Sequence, residues 1–182
     1  VDYTDRSTCA LFGDGAAAVL VEPTTEEIGW TDSILRTDGL GLPFLCVKAG
    51  GSVCPPSHYS IDRRMNYLHQ EGRTVFKYAV TYMSDVSAQI AERNGLNNET
   101  LNWVLPHQAN IRILDKMARK IGVDRDKLPA NMTKYGNTSA ASIPILLSEC
   151  VEEGLIRLDG SQNILLSGFG GGLTWGTLIL TI

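Results

Sequence analysis

Apolar residues along this chain change their spacing several times, and each change marks an element. Between Gly72 and Gly95, the residues Val75, Phe76, Ala79, Val80, Met83, Val86 and Ile90 recur three or four positions apart. That spacing puts them on one face of a helix, which Gly95 is placed to terminate. A second helix is predicted from near Asn110 to just before Gly122. Its apolar face is Ile113, Leu114, Met117, Ala118 and Ile121, and its other face carries Arg112, Lys116, Arg119 and Lys120. A third helix starts at Thr138 and Ser139 and runs towards Gly154, with Pro144 tolerable only near its first turn.

Short apolar runs separate these helices. "TDSILRTDG" contains a strand ending at Gly39, Leu101 to Leu105 is a second, and "LPANMT" a third; "NILLS" and "LTWGTLILTI" are the last two. "STCALFGDGAAAVLVEP" reads as two short strands about the turn Gly13-Asp14-Gly15. From Gly39 to Tyr67 the pattern is irregular, and a loop of that length often covers something functional. The order from Ser33 onward is β-α-β-α-β-α-β-β. It implies an α/β fold with a mixed, mostly parallel sheet covered by helices and an antiparallel final pair.

Composition narrows the picture. The chain has 182 residues, 43% hydrophobic, enough for one compact core and too few for two large domains. A net charge of -4 argues against a general nucleic-acid binder. No apolar run approaches a membrane span, and "VDYTDRSTC" does not resemble a signal peptide. Membrane association is not expected, and a cytoplasmic location is. The first residue is not methionine, so the chain is expected to be a fragment or a processed piece. Cys9, Cys46, Cys54 and Cys150 form no CxxC pair and are expected as free thiols. Cys46, Cys54 and His58 are close in sequence but lack the usual ligand spacing and a fourth ligand, so no metal is expected.

Open α/β sheets bind ligands beyond the carboxyl ends of their strands. Three polar groups fall at such ends: His107 and Asn110 after "WVL", Lys134-Tyr135-Gly136-Asn137 after "ANMT", and Gly168, Gly170, Gly171 and Gly172 after "NILLS". Each alone has an ordinary structural explanation: a hydrogen-bonded histidine, an Asx turn, a tight turn. Gathered on one edge they form a donor set, because an imidazole and a carboxamide can both donate to one carbonyl oxygen and stabilise an enolate or oxyanion. A nucleophile is missing. There is no G-x-S-x-G elbow, and "GDGAAA" is not a phosphate loop.

"VLPHQANIRI", "KYGNTSAASIP" and "GFGGGLTWG" resemble the C-terminal half of the 3-oxoacyl-acyl-carrier-protein synthase III family, condensing enzymes that start bacterial fatty-acid synthesis. "LFGDGAAAVLVEP", "AGGS" and "EGRTVFKYAV" are also similar, so the resemblance covers nearly the whole chain. It implies the thiolase fold, two similar α/β halves packed together. Residues 1–22 would be the last two strands of the first half, and residues 23–182 the second half with the catalytic His and Asn. The family's nucleophilic cysteine belongs to the part of the first half that is absent here.

The implied reaction moves an acyl group from acyl-CoA to that cysteine and condenses it with malonyl-acyl-carrier protein, with loss of carbon dioxide. His107 and Asn137 match the catalytic pair, and Gly171 the oxyanion-hole glycine. Gly72, Phe76, Ala109 and Asn110 match the CoA and pantetheine tunnel. Arg112, Arg119 and Lys120 match positions that receive the acidic carrier protein, although a solvated helix face would look the same. No cofactor is implied, since CoA thioesters enter as substrates. The expected partners are acyl-CoA, malonyl-acyl-carrier protein and the Cys-bearing N-terminal half, with a homodimer when complete. Two other readings stay open: a different thiolase-fold acyltransferase, and an isolated half that binds a partner without catalysing anything.

Overall fold

A four-stranded sheet runs through the molecule in the spatial order β1 (Gly29–Thr37), β6 (Thr174–Thr181), β5 (Asn163–Gly170) and β4 (Trp103–Pro106). The computed structural model describes residues 1–182. β1 pairs antiparallel with β6, β6 antiparallel with β5, and β5 parallel with β4. The fold is α/β, and the last two strands pair as expected. Only one of the three pairings is parallel, however, so the sheet is mixed rather than mostly parallel.

The difference comes from one missing strand. "LPANMT" is not a strand: Leu128 is buried in the core, and α5 (Met132–Tyr135) is a single helical turn. Pro129 has no N–H to give to a ladder. The Asn131 N–H is already used, donating to the buried Gln108 side chain at 3.1 Å.

Strand alternation sorts the sheet's two faces. Ile34, Val104, Leu165 and Ile179 pack against α3 (Ser84–Arg93) and α4 (Ile111–Ile121), through Ile90, Leu114 and Met117 among others. Leu105 and Ile164 point the other way, onto Leu146 and Cys150 of α6 (Ser142–Glu152). α4 begins where Asn110 caps it, its side chain accepting from the Arg112 N–H at 3.0 Å, and ends where Gly122 turns left-handed at φ 82.

The long helix predicted from Gly72 is present, but it contains a wider turn. α2 (Gly72–Tyr78) passes through a π-helical turn, Ala79–Met83, into α3. Apolar residues four apart (Val75, Ala79, Met83) drift around an ideal α-helix, and the wider turn keeps them facing inward. The third predicted helix is also present, with Ser139–Ala141 as a 3₁₀ turn before α6 and Pro144 within the first turn.

The stretch from Gly39 to Tyr67 is less irregular than its sequence. Gly39–Phe44 is a 3₁₀ helix, α1 (His58–Asp62) is short, and β2 (Leu45–Val47) pairs antiparallel with β3 (Leu68–Gln70). The hairpin expected about Gly13-Asp14-Gly15 is not formed. Residues 2–11 are turns held by the Asp2 and Asp5 carboxylates, with Asp2 also ion-paired to Arg64. Residues 13–22 join no ladder, and Val19, Leu20 and Val21 are 66%, 83% and 86% exposed. A strand needs a partner for its N–H and C=O groups, and this chain offers none there. No helix is long and apolar enough to cross a membrane. No three His, Cys, Asp or Glu side chains gather closely enough to hold a metal ion.

Candidate active site

β4 and β5 run parallel and stop at the same edge, so the segments leaving the two strands meet there. Pairing continues one step past the named strand: the His107 N–H donates to the Ser167 carbonyl at 2.8 Å. That bond fixes the backbone of His107 beside the glycines that come after Ser167. A cavity of about 670 Å³ opens at this edge, and its wall contains His107, Asn137, Gly171, Gly72, Phe76, Ala109 and Asn110. Every residue expected at the catalytic centre or in the tunnel therefore lines one space.

The His107 ring is held from one side. Its Nδ1 lies 2.7 Å from the Ser142 hydroxyl, at the start of α6. Burial pushes its pKa from 6.5 down to about 4, so the imidazole is neutral at pH 7. Nε2 has no partner within the protein and is not sealed off, which leaves it open to the cavity.

Asn137 is held through its backbone. Its N–H donates to the Leu11 carbonyl at 2.8 Å, and its carbonyl accepts from the Gly13 N–H at 3.0 Å. This clamp depends on two close approaches. A Cβ on Gly13 would lie 1.9 Å from the Tyr135 carbonyl oxygen, and one on Gly136, at φ 71, would lie 3.0 Å from the Leu11 oxygen. The Asn137 side-chain oxygen accepts from the Ser139 N–H at 2.9 Å, which turns its NH₂ outward as a donor.

Glu149 anchors the loop from beneath. Its carboxylate accepts from the Asn131 amide (2.6 Å), Lys134 Nζ (2.7 Å) and the Tyr135 hydroxyl (2.6 Å). The Lys134 ammonium, with Tyr135 and Asn131, lowers the Glu149 pKa from 4.5 to about 2.

The glycine end of β5 presents main chain to the cavity. Gly168, Gly170 and Gly171 all line it, and a Cβ on Gly171 would come within 3.3 Å of the Leu45 carbonyl. Cys46 lines the same wall, on β2, but hydrogen-bonds to no base. Cys150 is buried on the other side of the sheet, and burial raises its thiol to about 11. Neither cysteine is placed as an activated nucleophile.

The three cations expected on α4 differ from one another. All are exposed, but Lys120 pairs with Asp85 at 3.0 Å and Arg119 bonds back to the Asp115 carbonyl at 3.1 Å. Arg112 has no ion pair. Sequence reasoning missed two contributors. Leu11 to Gly13 looked like the end of a strand running into a hairpin turn, and Ser142 looked like a helix residue.

With this geometry established, the comparisons with known proteins are direct. The chain matches the family described as 3-Oxoacyl-[acyl-carrier-protein (ACP)] synthase III C terminal over residues 91–182, and 3-Oxoacyl-[acyl-carrier-protein (ACP)] synthase III over residues 1–39. It is 58% identical over 178 residues to beta-ketoacyl-[acyl-carrier-protein] synthase III 2 of Bacteroides thetaiotaomicron, covering 98% of this chain and 52% of that protein. It is 56% identical over 182 residues to a beta-ketoacyl-[acyl-carrier-protein] synthase III of Streptococcus pneumoniae, covering 100% of this chain and 55% of that protein. The crystal structure of 3-oxoacyl-(acyl carrier protein) synthase III from Pseudomonas aeruginosa superposes with a TM-score of 0.86 at 37% identity, covering 100% of this chain and 55% of that one. The chain spans about half the length of the curated relatives it matches.

The glycine clamp and the two shifted titratable groups can each be tested by unfolding. Gly13→Ala forces a methyl into the Tyr135 carbonyl and lowers stability by about 1–3 kcal/mol in urea unfolding. Gly51→Ala, where a Cβ meets nothing within 4 Å, serves as the neutral comparison.

Acid should destabilise the fold in two windows. The folded pKa of His107 lies below its unfolded value, so the unfolded chain binds the extra proton and stability falls as pH drops from 6.5 towards 4. Glu149 is also depressed, and its contribution, full above 4.5, is lost as pH falls towards 2. Unfolding curves measured across pH should show both phases, and His107→Gln should flatten only the first.

Proposed function

Because the chain belongs to the 3-oxoacyl-acyl-carrier-protein synthase III family, we propose that it is the His–Asn half of a condensing enzyme. The reaction is a decarboxylative Claisen condensation of an acyl-CoA primer with malonyl-acyl-carrier protein. One observation carries this reading: the His107 ring and the Asn137 side-chain amide line a single cavity in which no nucleophile is activated. Such a site suits an oxyanion that forms on a thioester, not attack on it.

His107 Nε2–H and the Asn137 NH₂ would donate to the malonyl thioester oxygen as carbon dioxide leaves and the enolate forms. A neutral imidazole is the right state, since it donates without transferring a proton outright. The Gly170–Gly171 main chain, with Gly171 the family's match, would supply an N–H to the second oxyanion, formed when the enolate attacks the acyl-cysteine. Gly72, Phe76, Ala109 and Asn110 would line the pantetheine arm of both substrates. Phe76 belongs to the core edge as well as to the cavity, so its role there is apolar contact.

The nucleophilic cysteine would come from a companion N-terminal half, to which residues 1–22 would also belong. Exposed apolar surface supports this partner. Val19 to Val21 are unpaired, and Trp30 and Leu35, 69% and 72% exposed, lie on the sheet face that α6 leaves uncovered. Burying such surface is the main force for stable association. Among the carrier-facing cations, Arg112 is the strongest candidate because nothing in the chain neutralises it. Arg119 and Lys120 would contribute less.

The test combines this chain with a Cys-bearing half and measures malonyl decarboxylation and 3-oxoacyl product. His107→Ala should lower the decarboxylation rate by roughly 10²–10³-fold, the usual cost of one oxyanion donor. Unchanged decarboxylation would remove the assigned role. An inactive but folded complex of the unaltered chain would favour a half that only binds a partner. Separately, Arg112→Glu should raise KM for carrier-bound malonate about tenfold while leaving acyl-CoA use unchanged. Equal loss with both substrates would remove the docking role.

A further inference from the structure

The donor set works only if His107 carries its proton on Nε2, and the residues behind the ring decide that. Ser142 is 2% exposed, and its hydroxyl makes two contacts. The Gln108 N–H donates to Oγ at 3.3 Å, and Nδ1 of His107 lies 2.7 Å away. A hydroxyl has one proton and two lone pairs. The Gln108 N–H occupies one lone pair. If Nδ1 carried a proton, it would occupy the other, and the serine proton would be left in a buried place with no acceptor. Leaving a buried donor unmade costs more than an ordinary hydrogen bond gains. The arrangement that satisfies every group has Ser142 O–H donating to a bare Nδ1. The imidazole proton then sits on Nε2, facing the cavity.

Resting on the condensing-enzyme reading above, we propose that Ser142 is a positioning residue: with the Gln108 N–H as its second partner, its hydroxyl locks His107 in the Nε2–H tautomer that presents a donor to the thioester oxygen. The relay is built from sequence neighbours of the site itself. Gln108 is next to His107 in the chain, and Ser142 ends the "GNTSAAS" run that contains Asn137. Gln108 is itself fixed, its amide donating to the Pro106 carbonyl at 2.7 Å and accepting from the Asn131 N–H. The start of α6 thus sets both the angle and the proton position of the ring.

Two measurements test this. In the first, the chain is labelled with ¹⁵N-histidine, and His107→Gln assigns the ring signals. Above pH 6.5, Nε2 should be the protonated nitrogen and Nδ1 the bare one; a proton on Nδ1 overturns the proposal. In the second, Ser142→Ala and Ser142→Thr are assayed in the complex with the Cys-bearing half. Ser142→Ala should lower kcat for malonyl decarboxylation roughly tenfold, with KM changed less than about twofold. Ser142→Thr, which keeps the hydroxyl, should recover most of that loss. Undiminished kcat in folded Ser142→Ala overturns the proposal. His107→Ala in the same assay separates the two ideas. If it too is fully active, the condensing reading has failed, and the tautomer measurement alone decides the role of Ser142. If Ser142→Ala does not fold, the wild-type ¹⁵N spectrum still decides.

Discussion

The site depends on one hydrogen bond beyond the end of a β-ladder, from the His107 N–H to the Ser167 carbonyl. Because β4 and β5 are parallel, both chains leave the sheet at the same edge. The strand carrying the imidazole and the strand leading to the glycines are thereby fixed side by side. An antiparallel pairing of the same two strands would send His107 and Gly171 to opposite edges. The parallel pair is the minority geometry in this sheet, and it is the one that brings His107 and Gly171 to the same edge.

Asn137 reaches the same edge by another route. No strand delivers it. Its backbone is clamped to Leu11–Gly13 across a gap too narrow for a side chain on Gly13, and the preceding turn is pinned to α6 through Glu149. The loop therefore has rigid contacts on both sides although it has little regular structure. In the proposed reaction such contacts would matter, because an oxyanion donor set must hold its positions before charge develops. Desolvation adds to the arrangement by keeping the imidazole neutral.

Much of this was legible in the chain itself. Helical spacing gave α2 to α4, the Thr138–Ser139 start gave α6, and the bounds of α4 near Asn110 and Gly122 could be read directly. "PHQAN" could be read as a polar group at a strand end, whereas "GNTSAAS" was placed on the right edge through a strand that does not form. The failures are equally specific. "LPANMT" has strand-like residues, but Pro129 and the side chain of Gln108 remove it from the ladder. "GDGAAAVLV" has the pattern of a hairpin, but it has no neighbour to pair with. In both cases local propensity lost to the question of where the backbone hydrogen bonds could go.

By itself the sequence determined which residues could donate, which helices form and where they stop, because these depend on side-chain chemistry and on spacing along a few turns. Only the tertiary structure decided that His107, Asn137 and the glycines share one cavity, that Leu11–Gly13 holds the asparagine, and that Ser142 stands behind the imidazole. Those contacts join residues far apart in the chain, and their register is set by close packing, which no local pattern records.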